Sequence, residues 1–310
     1  LDKIRNTFIK NMIMEKATKG RIHCQFHSTG TVTGRFSSSN PNLQQVPARD
    51  QELAPLIRDL FLPEEGEDWV CADYAQQEPR VLVHYASLKN IDSALTARDN
   101  YYQDENTDFH QMVADMAEIP RKQAKTINLG LFYGMGQKKL ALELGLDEET
   151  ARSLFKKYHS KVPFVRTISN QVSNIASTRG YIKTLLGRKR RFNLWEPVDS
   201  FGEKAFPYSQ AAAVYHKQKL KRAYTHKALN ALIQGSAADI TKAAMYQIYK
   251  AGLLNDINLL LTVHDELDFS IAPNKQKCLN EAIQIMKSCI KLEVPLRVDV
   301  ERGSTWGTIK

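Results

Sequence analysis

The chain has 310 residues, 43% of them hydrophobic, enough for one large domain or two tightly joined ones with a real core. No apolar run approaches the ~20 residues that span a bilayer, and the N-terminus lacks the ordered regions of a signal peptide, so the expectation is neither a membrane nor a secreted protein. The net charge of +9 suits a polyanionic partner, because neutralised phosphates release counterions, and Cys24, Cys71, Cys278 and Cys289 contain no CxxC pair and read as reduced core thiols.

Residues 1–23 read as a short helical lead-in. Thr33–Pro47, TGRFSSSNPNLQQVP, is rich in Ser, Asn and Pro and predicts loop and turn. Trp69–Asp73, WVCAD, is apolar and flanked by turn formers, which predicts a buried strand ending at Asp73. From about Val81 to Lys250 the pattern is mainly helical. Within it lies RKQAKTINLGLFYG, where Arg121, Lys125, Asn128 and Phe132 recur at i, i+4, i+7 and i+11 and share one face, bordered by Leu129 and Tyr133. Cations in the first turns of a helix oppose its dipole, a placement that makes sense if a polyanion binds there. His110, just upstream, can add a donor. GRKRR, Gly187–Arg191, reads as a solvated loop or a phosphate contact. The chain then returns to strands: INLLLTV and LDFSI around a three-residue corner, HDE, predict a β-hairpin, and VPLRVDVERG a further strand. The fold class expected is α+β: a small antiparallel sheet with a large helical lobe inserted between its parts.

Asp73 at a strand end and Asp265 in the hairpin corner, beside Glu266, are carboxylates on rigid supports. Either alone reads as a turn cap. On neighbouring strands they could share two divalent ions ~3.5–4 Å apart, the arrangement for phosphoryl transfer to a hydroxyl. Mg²⁺ suits such an oxygen-rich site.

Taken together these segments resemble family A DNA polymerases, the polymerase I-like class. DYAQQEPR (Asp73–Arg80) is similar to motif A, RKQAKTINLGLFYG to motif B, and VHDEL (Val263–Leu267) to motif C. TGRFSSSNPNLQQVP resembles the segment that contacts the primer–template duplex, and ALNALIQGSAADI (Ala228–Ile240) a fifth segment. The resemblance covers the whole chain. It implies a right-hand polymerase fold, with palm at 1–84 and 224–310 and fingers at 85–223. The activity implied is template-directed addition of deoxynucleotides to a primer 3′ end, with two Mg²⁺ ions for which Mn²⁺ can substitute. Asp73, Asp265 and the backbone carbonyl of Tyr74 would be the metal ligands, and Glu266 would sit beside the primer terminus. Arg121, Lys125 and His110 would hold the triphosphate, Lys125 also protonating the leaving pyrophosphate. Gln76 and Leu129 would line the nucleotide site, Tyr133 would stack near the nascent base pair, and Glu78 would crowd the sugar 2′ position. Arg35, Asn230, Gln234, His264 and His226 would reach the duplex, where minor-groove acceptors are nearly common to all base pairs.

Several positions depart from the family pattern. Pro79 follows Glu78 where the family usually has leucine, so the helix after motif A is expected to start there. Leu129 replaces an aromatic residue, and its lack of a hydroxyl predicts poor use of dideoxynucleotides; efficient termination at equal dideoxy and deoxy concentrations would refute this. His226 stands where an arginine is common, as in some phage members. The connection AEIPRKQ is short. No thumb and no exonuclease motif is recognisable, so the expectation is a fragment of a longer protein or a chain assisted by further domains or a processivity partner. The setting expected is a bacterial or phage-infected cytoplasm or an organelle. The competing readings are a single-subunit RNA polymerase, an inactive DNA-binding relative and a two-metal nuclease.

Overall fold

The structure, a computed structural model, describes residues 4–48, 50, 52–132, 137–199 and 202–309. In chain order its strands and α-helices are β1 (Gln25–His27), β2 (Ser37–Ser39), α1 (Leu53–Arg58), β3 (Asp68–Tyr74), α2 (Gln77–Ser87), α3 (Asp92–Gln103), α4 (Phe109–Ala117), α5 (Arg121–Phe132), α6 (Gln137–Leu144), α7 (Glu148–Lys161) and α8 (Pro163–Arg179). There follow β4 (Tyr181–Lys183), β5 (Lys189–Arg191), β6 (Leu194–Pro197), β7 (Phe206–Pro207), α9 (Tyr208–Val214), β8 (Leu220–Arg222), α10 (Ala228–Lys250), β9 (Asn258–Val263), β10 (Glu266–Ile271), α11 (Gln276–Ser288) and β11 (Val298–Gly303). The mixture of helices with an antiparallel sheet agrees with the α+β expectation. The chain forms two compact units: Leu1–Gln77, Ala237–Lys291 and Leu296–Lys310 make the first, Glu78–Ser236 and Leu292–Pro295 the second.

The first unit is built on an antiparallel sheet of order β11-β3-β10-β9. β3 is central because its run DWVCADY is apolar almost throughout, with Trp69 to Ala72 and Tyr74 buried. Alternation along the strand divides its side chains between the two faces. Val70, Ala72 and Tyr74 face one way, and the Tyr74 hydroxyl donates to the carbonyl of Met286 on α11 (2.8 Å). Trp69, Cys71 and Asp73 face the other. There Trp69 stacks on Trp306 (ring centroids 5.6 Å apart) within a cluster that includes Phe8, Met12, Leu43, Ile57 and Leu261. Apolar packing thus fills one end of this face and leaves its other end to Cys71 and Asp73.

In the second unit, α4 and α5 lie side by side and pack through Phe109 and Phe132, and Phe109 also meets Phe164 of α8. Gly130 lets α6 approach α5 closely, since a Cβ there would lie 2.1 Å from Leu140 Cδ2.

Five local expectations are corrected. The lead-in helix spans only Ile4–Met14, as a π-helix, and the loop Thr33–Pro47 contains β2 and a 3₁₀ turn at Leu43–Gln45. The basic run GRKRR is not a plain loop, because Lys189–Arg191 pair with Tyr181–Lys183. The β9–β10 corner has two residues, His264 and Asp265, since Glu266 already pairs with Val263. Finally, α2 begins at Gln77, two residues before Pro79. A proline is tolerated in the first helical turn, where backbone N–H groups have no intrahelical acceptor.

Candidate active site

Strand register assembles the acids. Asp73 of β3 lies directly opposite Glu266 of β10 on one side and Asp299 of β11 on the other, and residues so paired share a face. Asp265, in the turn before Glu266, is drawn level with β3 by a bond from the Tyr74 amide to its carbonyl (3.4 Å). Two left-handed backbones lie close to the aspartates along the chain, Gln76 (φ 51°) three residues after Asp73 and His264 (φ 58°) immediately before Asp265. Non-glycine residues rarely adopt this conformation, and it costs about 1–3 kcal/mol at sites where the surrounding structure imposes it.

This crowding has an electrostatic signature. Burial, and then the charges of Asp265, Glu266, Asp299 and Glu301, push the Asp73 carboxyl up to about 8. Burial raises Asp265 as well, opposed chiefly by the nearby Arg35 guanidinium. Glu301 is raised by burial, Glu266 and Asp299. Arg297 pairs with Asp299 and Arg35 lies near Asp265, yet Asp73 and its neighbours still raise one another's pKa, so these oxygen donors on a rigid sheet fit divalent cations. Because the Tyr74 side chain is buried and bonded to Met286, only the backbone of that residue can serve as a ligand.

The cationic set is built by helix caps and side-chain bonds. Asp108 caps α4, accepting from the amides of His110 (2.8 Å) and Gln111 (3.1 Å). Its other oxygen takes Arg121 Nη2 (2.5 Å) and Nε (3.0 Å), tying the start of α5 to the start of α4. Arg121 and Lys125 are exposed, whereas Asn128 and Phe132 are buried, so the shared stripe descends from solvent into the core. Asn128 is the hinge of a network: its Oδ1 accepts from the Tyr158 hydroxyl (2.5 Å) and its Nδ2 donates to His110 Nδ1 (3.2 Å). With Nδ1 as acceptor, the neutral His110 ring carries its proton on Nε2, and burial lowers its pKa and keeps it neutral. Leu129 is half-buried on the same helix.

The remaining expected residues are spread over the chain. Gln76 and Glu78 are half-buried, Glu78 being the second residue of α2. Arg35 and His264 belong to the first unit, with His264 exposed at the hairpin tip. Asn230 and Gln234 lie one turn apart on the part of α10 that belongs to the second unit, after the exposed His226. Asn230 Nδ2 is buried with no hydrogen-bond partner among the described residues. Tyr133 lies outside the described residues.

Four contributors escaped the sequence reading. The alternation VDVERG would have flagged Asp299 and Glu301 as acids on one strand face, and Asp108 carries the cap signature of an Asp before a helix. Tyr158 has no local signal, since its role depends on α7 packing beside α4.

Similarity to known proteins agrees with this geometry. The family model described as DNA polymerase family A matches residues 1–308. A DNA-directed DNA polymerase of Pseudomonas phage M6 is 39% identical over 99% of this chain and 50% of its own length. DNA polymerase I of Treponema pallidum is 34% identical over 99% of this chain and 29% of its own. The solved POL domain of Pol1 from M. smegmatis, in complex with DNA primer–template and dNTP, superposes with a TM-score of 0.81 at 32% identity, covering 99% of this chain and 52% of that one. The chain thus spans half or less of the length of the curated relatives named. A match running from end to end, joined to a sheet that pairs the motif A and motif C acids, makes this chain a member of DNA polymerase family A.

Proposed function

We propose that the chain is the catalytic part of a template-directed DNA polymerase, adding deoxynucleotides to a primer 3′ end and releasing pyrophosphate. The observation that carries this is the meeting of Asp73 with the Asp265–Glu266 corner across β3 and β10. The first unit acts as palm and the second as fingers. Two Mg²⁺ ions, or Mn²⁺, held by Asp73, Asp265 and the Tyr74 carbonyl, would lower the pKa of the primer hydroxyl and neutralise the phosphates. No helix among the described residues is long and apolar enough to cross a membrane.

The chain's own residues do the positioning. Arg121, Lys125 and the Nε2–H of His110 hold the triphosphate. The primer 3′ hydroxyl gives up its proton to solvent as its oxygen attacks the α-phosphorus, the bond to the bridging oxygen breaks, and Lys125 gives a proton to the leaving pyrophosphate, regaining one from solvent. Positioning and charge neutralisation supply most of the rate in such reactions. Because Arg121 is paired with Asp108 here, a triphosphate must compete with that carboxylate. Glu266 stands beside the primer terminus, Gln76, Leu129 and Tyr133 line the nucleotide, and Glu78 excludes a 2′-hydroxyl. Arg35, His226, Asn230, Gln234 and His264 contact the duplex.

The test is primer extension with Mg²⁺ and all four deoxynucleotides, beside Asp265→Ala. Extension that vanishes in the variant supports the reading, and undiminished extension there refutes the metal assignment. Faster extension with ribonucleotides would instead make the chain an RNA polymerase.

A further inference from the structure

We propose that Cys71, Glu266 and Asp268 form a cation site separate from the Asp73–Asp265 pair, suited to a thiolate-accepting divalent ion such as Zn²⁺. Cys71 of β3 lies directly opposite Asp268 of β10, and Glu266 lies two residues from Asp268 on the same strand, hence on the same face. The ligand atoms of the three side chains all lie within 4.8 Å of one another. The site is thus one step along the sheet from Asp73.

Two further observations point to an occupant. Asp268 is completely buried, yet only its Oδ1 has a donor, the Trp69 indole N–H at 3.0 Å. Among the described residues, Asp268 Oδ2 has no hydrogen-bond partner, and neither does Glu266 Oε1. Buried carboxylate oxygens without donors are costly, and beyond the charge of Arg58, which reaches Asp268 without hydrogen-bonding these oxygens, they call for a proton shared by the two acids or a metal ion. The second observation is space. A cavity of about 390 Å³ lies elsewhere, in the second unit, but one of about 230 Å³ opens on Cys71, Asp73, Glu266, Asp299 and Glu301, leaving room for an ion and its water. Among the described residues Arg58 is the one cation that lines it, and Cys71 and Glu266 are the members of the proposed set that reach it.

The donor types choose the metal. A thiolate with two carboxylates disfavours Mg²⁺, which demands oxygen and an octahedral shell, and suits tetrahedral Zn²⁺ with its fourth position open to the cavity. Occupation would clamp β3 to β10 beside the strand positions that present Asp73 and Glu266.

Co²⁺, which takes zinc's geometry and absorbs visibly when bound to a thiolate, is the probe. Titrated into the metal-free chain with excess Mg²⁺ present, it should give one equivalent of a thiolate-to-cobalt charge-transfer band, displaced by Zn²⁺. The band should disappear in Cys71→Ser and weaken at least tenfold in Asp268→Asn, a variant that keeps the side-chain shape and the acceptor for Trp69. It should persist in Asp73→Asn, which separates this site from the polymerase metals, and Zn²⁺ should raise the unfolding temperature of the parent chain but not of Cys71→Ser. Absence of the band in the parent chain would overturn the proposal and leave a shared proton as occupant. A band surviving in a folded Cys71→Ser would overturn it by pointing to Cys24, Cys278 or Cys289.

Discussion

The acidic sheet of the first unit and the cationic helix pair of the second are held in place by different forces. β3 and β10 are locked by backbone hydrogen bonds between segments far apart in sequence, and the side-chain bond from the Trp69 indole to Asp268, which spans 199 residues, reinforces them. Their acids repel one another, and the ladder holds them regardless. The α4–α5 pair is local, and side chains hold it: Asp108 to Arg121, and Tyr158 to Asn128 to His110. The lesson is that the first region stores unfavourable charge in a rigid frame, whereas in the second the groups proposed to bind the triphosphate also support the structure.

The sharpest contrast should come from Asp73→Asn. Primer extension should fall on the order of a thousandfold or more, while the unfolding temperature of the metal-free chain stays level or rises, because the variant folds without having to take up a proton at this buried position. A marked drop in that temperature would mean that the acids support the fold. Lys125→Ala should cost on the order of a hundredfold in kcat, with little change in stability, since the residue is exposed. Equal loss with a lower unfolding temperature would place Lys125 in the structure rather than in the chemistry.

Asn128→Ala should break the rule for binding residues in the opposite direction. It leaves the buried Tyr158 hydroxyl and the His110 ring unpaired, costing about 1–3 kcal/mol of stability, and should raise KM for the nucleotide more than it lowers kcat. Unchanged stability in chemical denaturation would show the network to be incidental. A further effect concerns pH. The Asp73 carboxyl titrates near 8 in the fold, above the ordinary ~3.9, so the folded state binds the extra proton and stability declines as pH rises between about 4 and 8. Mg²⁺ should flatten that slope and release protons on binding at pH 7, measurable by calorimetry in buffers of different ionisation enthalpy. A slope indifferent to Mg²⁺ would separate Asp73 from the metals.

Much of this was legible in the sequence. The apolar run at β3 and the hairpin around Asp265 announced two rigid supports for carboxylates, and the spacing of Arg121 and Lys125 announced a shared helix face. Other features were hidden for physical reasons. Three-residue strands such as β5 are too short and too charged to show a period. Helical spacing shows which residues share a stripe but not its depth, so Asn128 looked like a partner of the cations until packing buried it. The VDVERG alternation puts Asp299 and Glu301 on one strand face, but nothing local says that β11 lies against β3.

The sequence by itself determined the residue types, their order and the local elements that carry them, since period, caps and turn formers act over a few positions. Tertiary structure decided which acids face one another, the raised pKa of Asp73, the tautomer of His110 and the unshared oxygens beside Cys71. Those properties depend on register and burial between distant segments, which no short stretch of chain encodes.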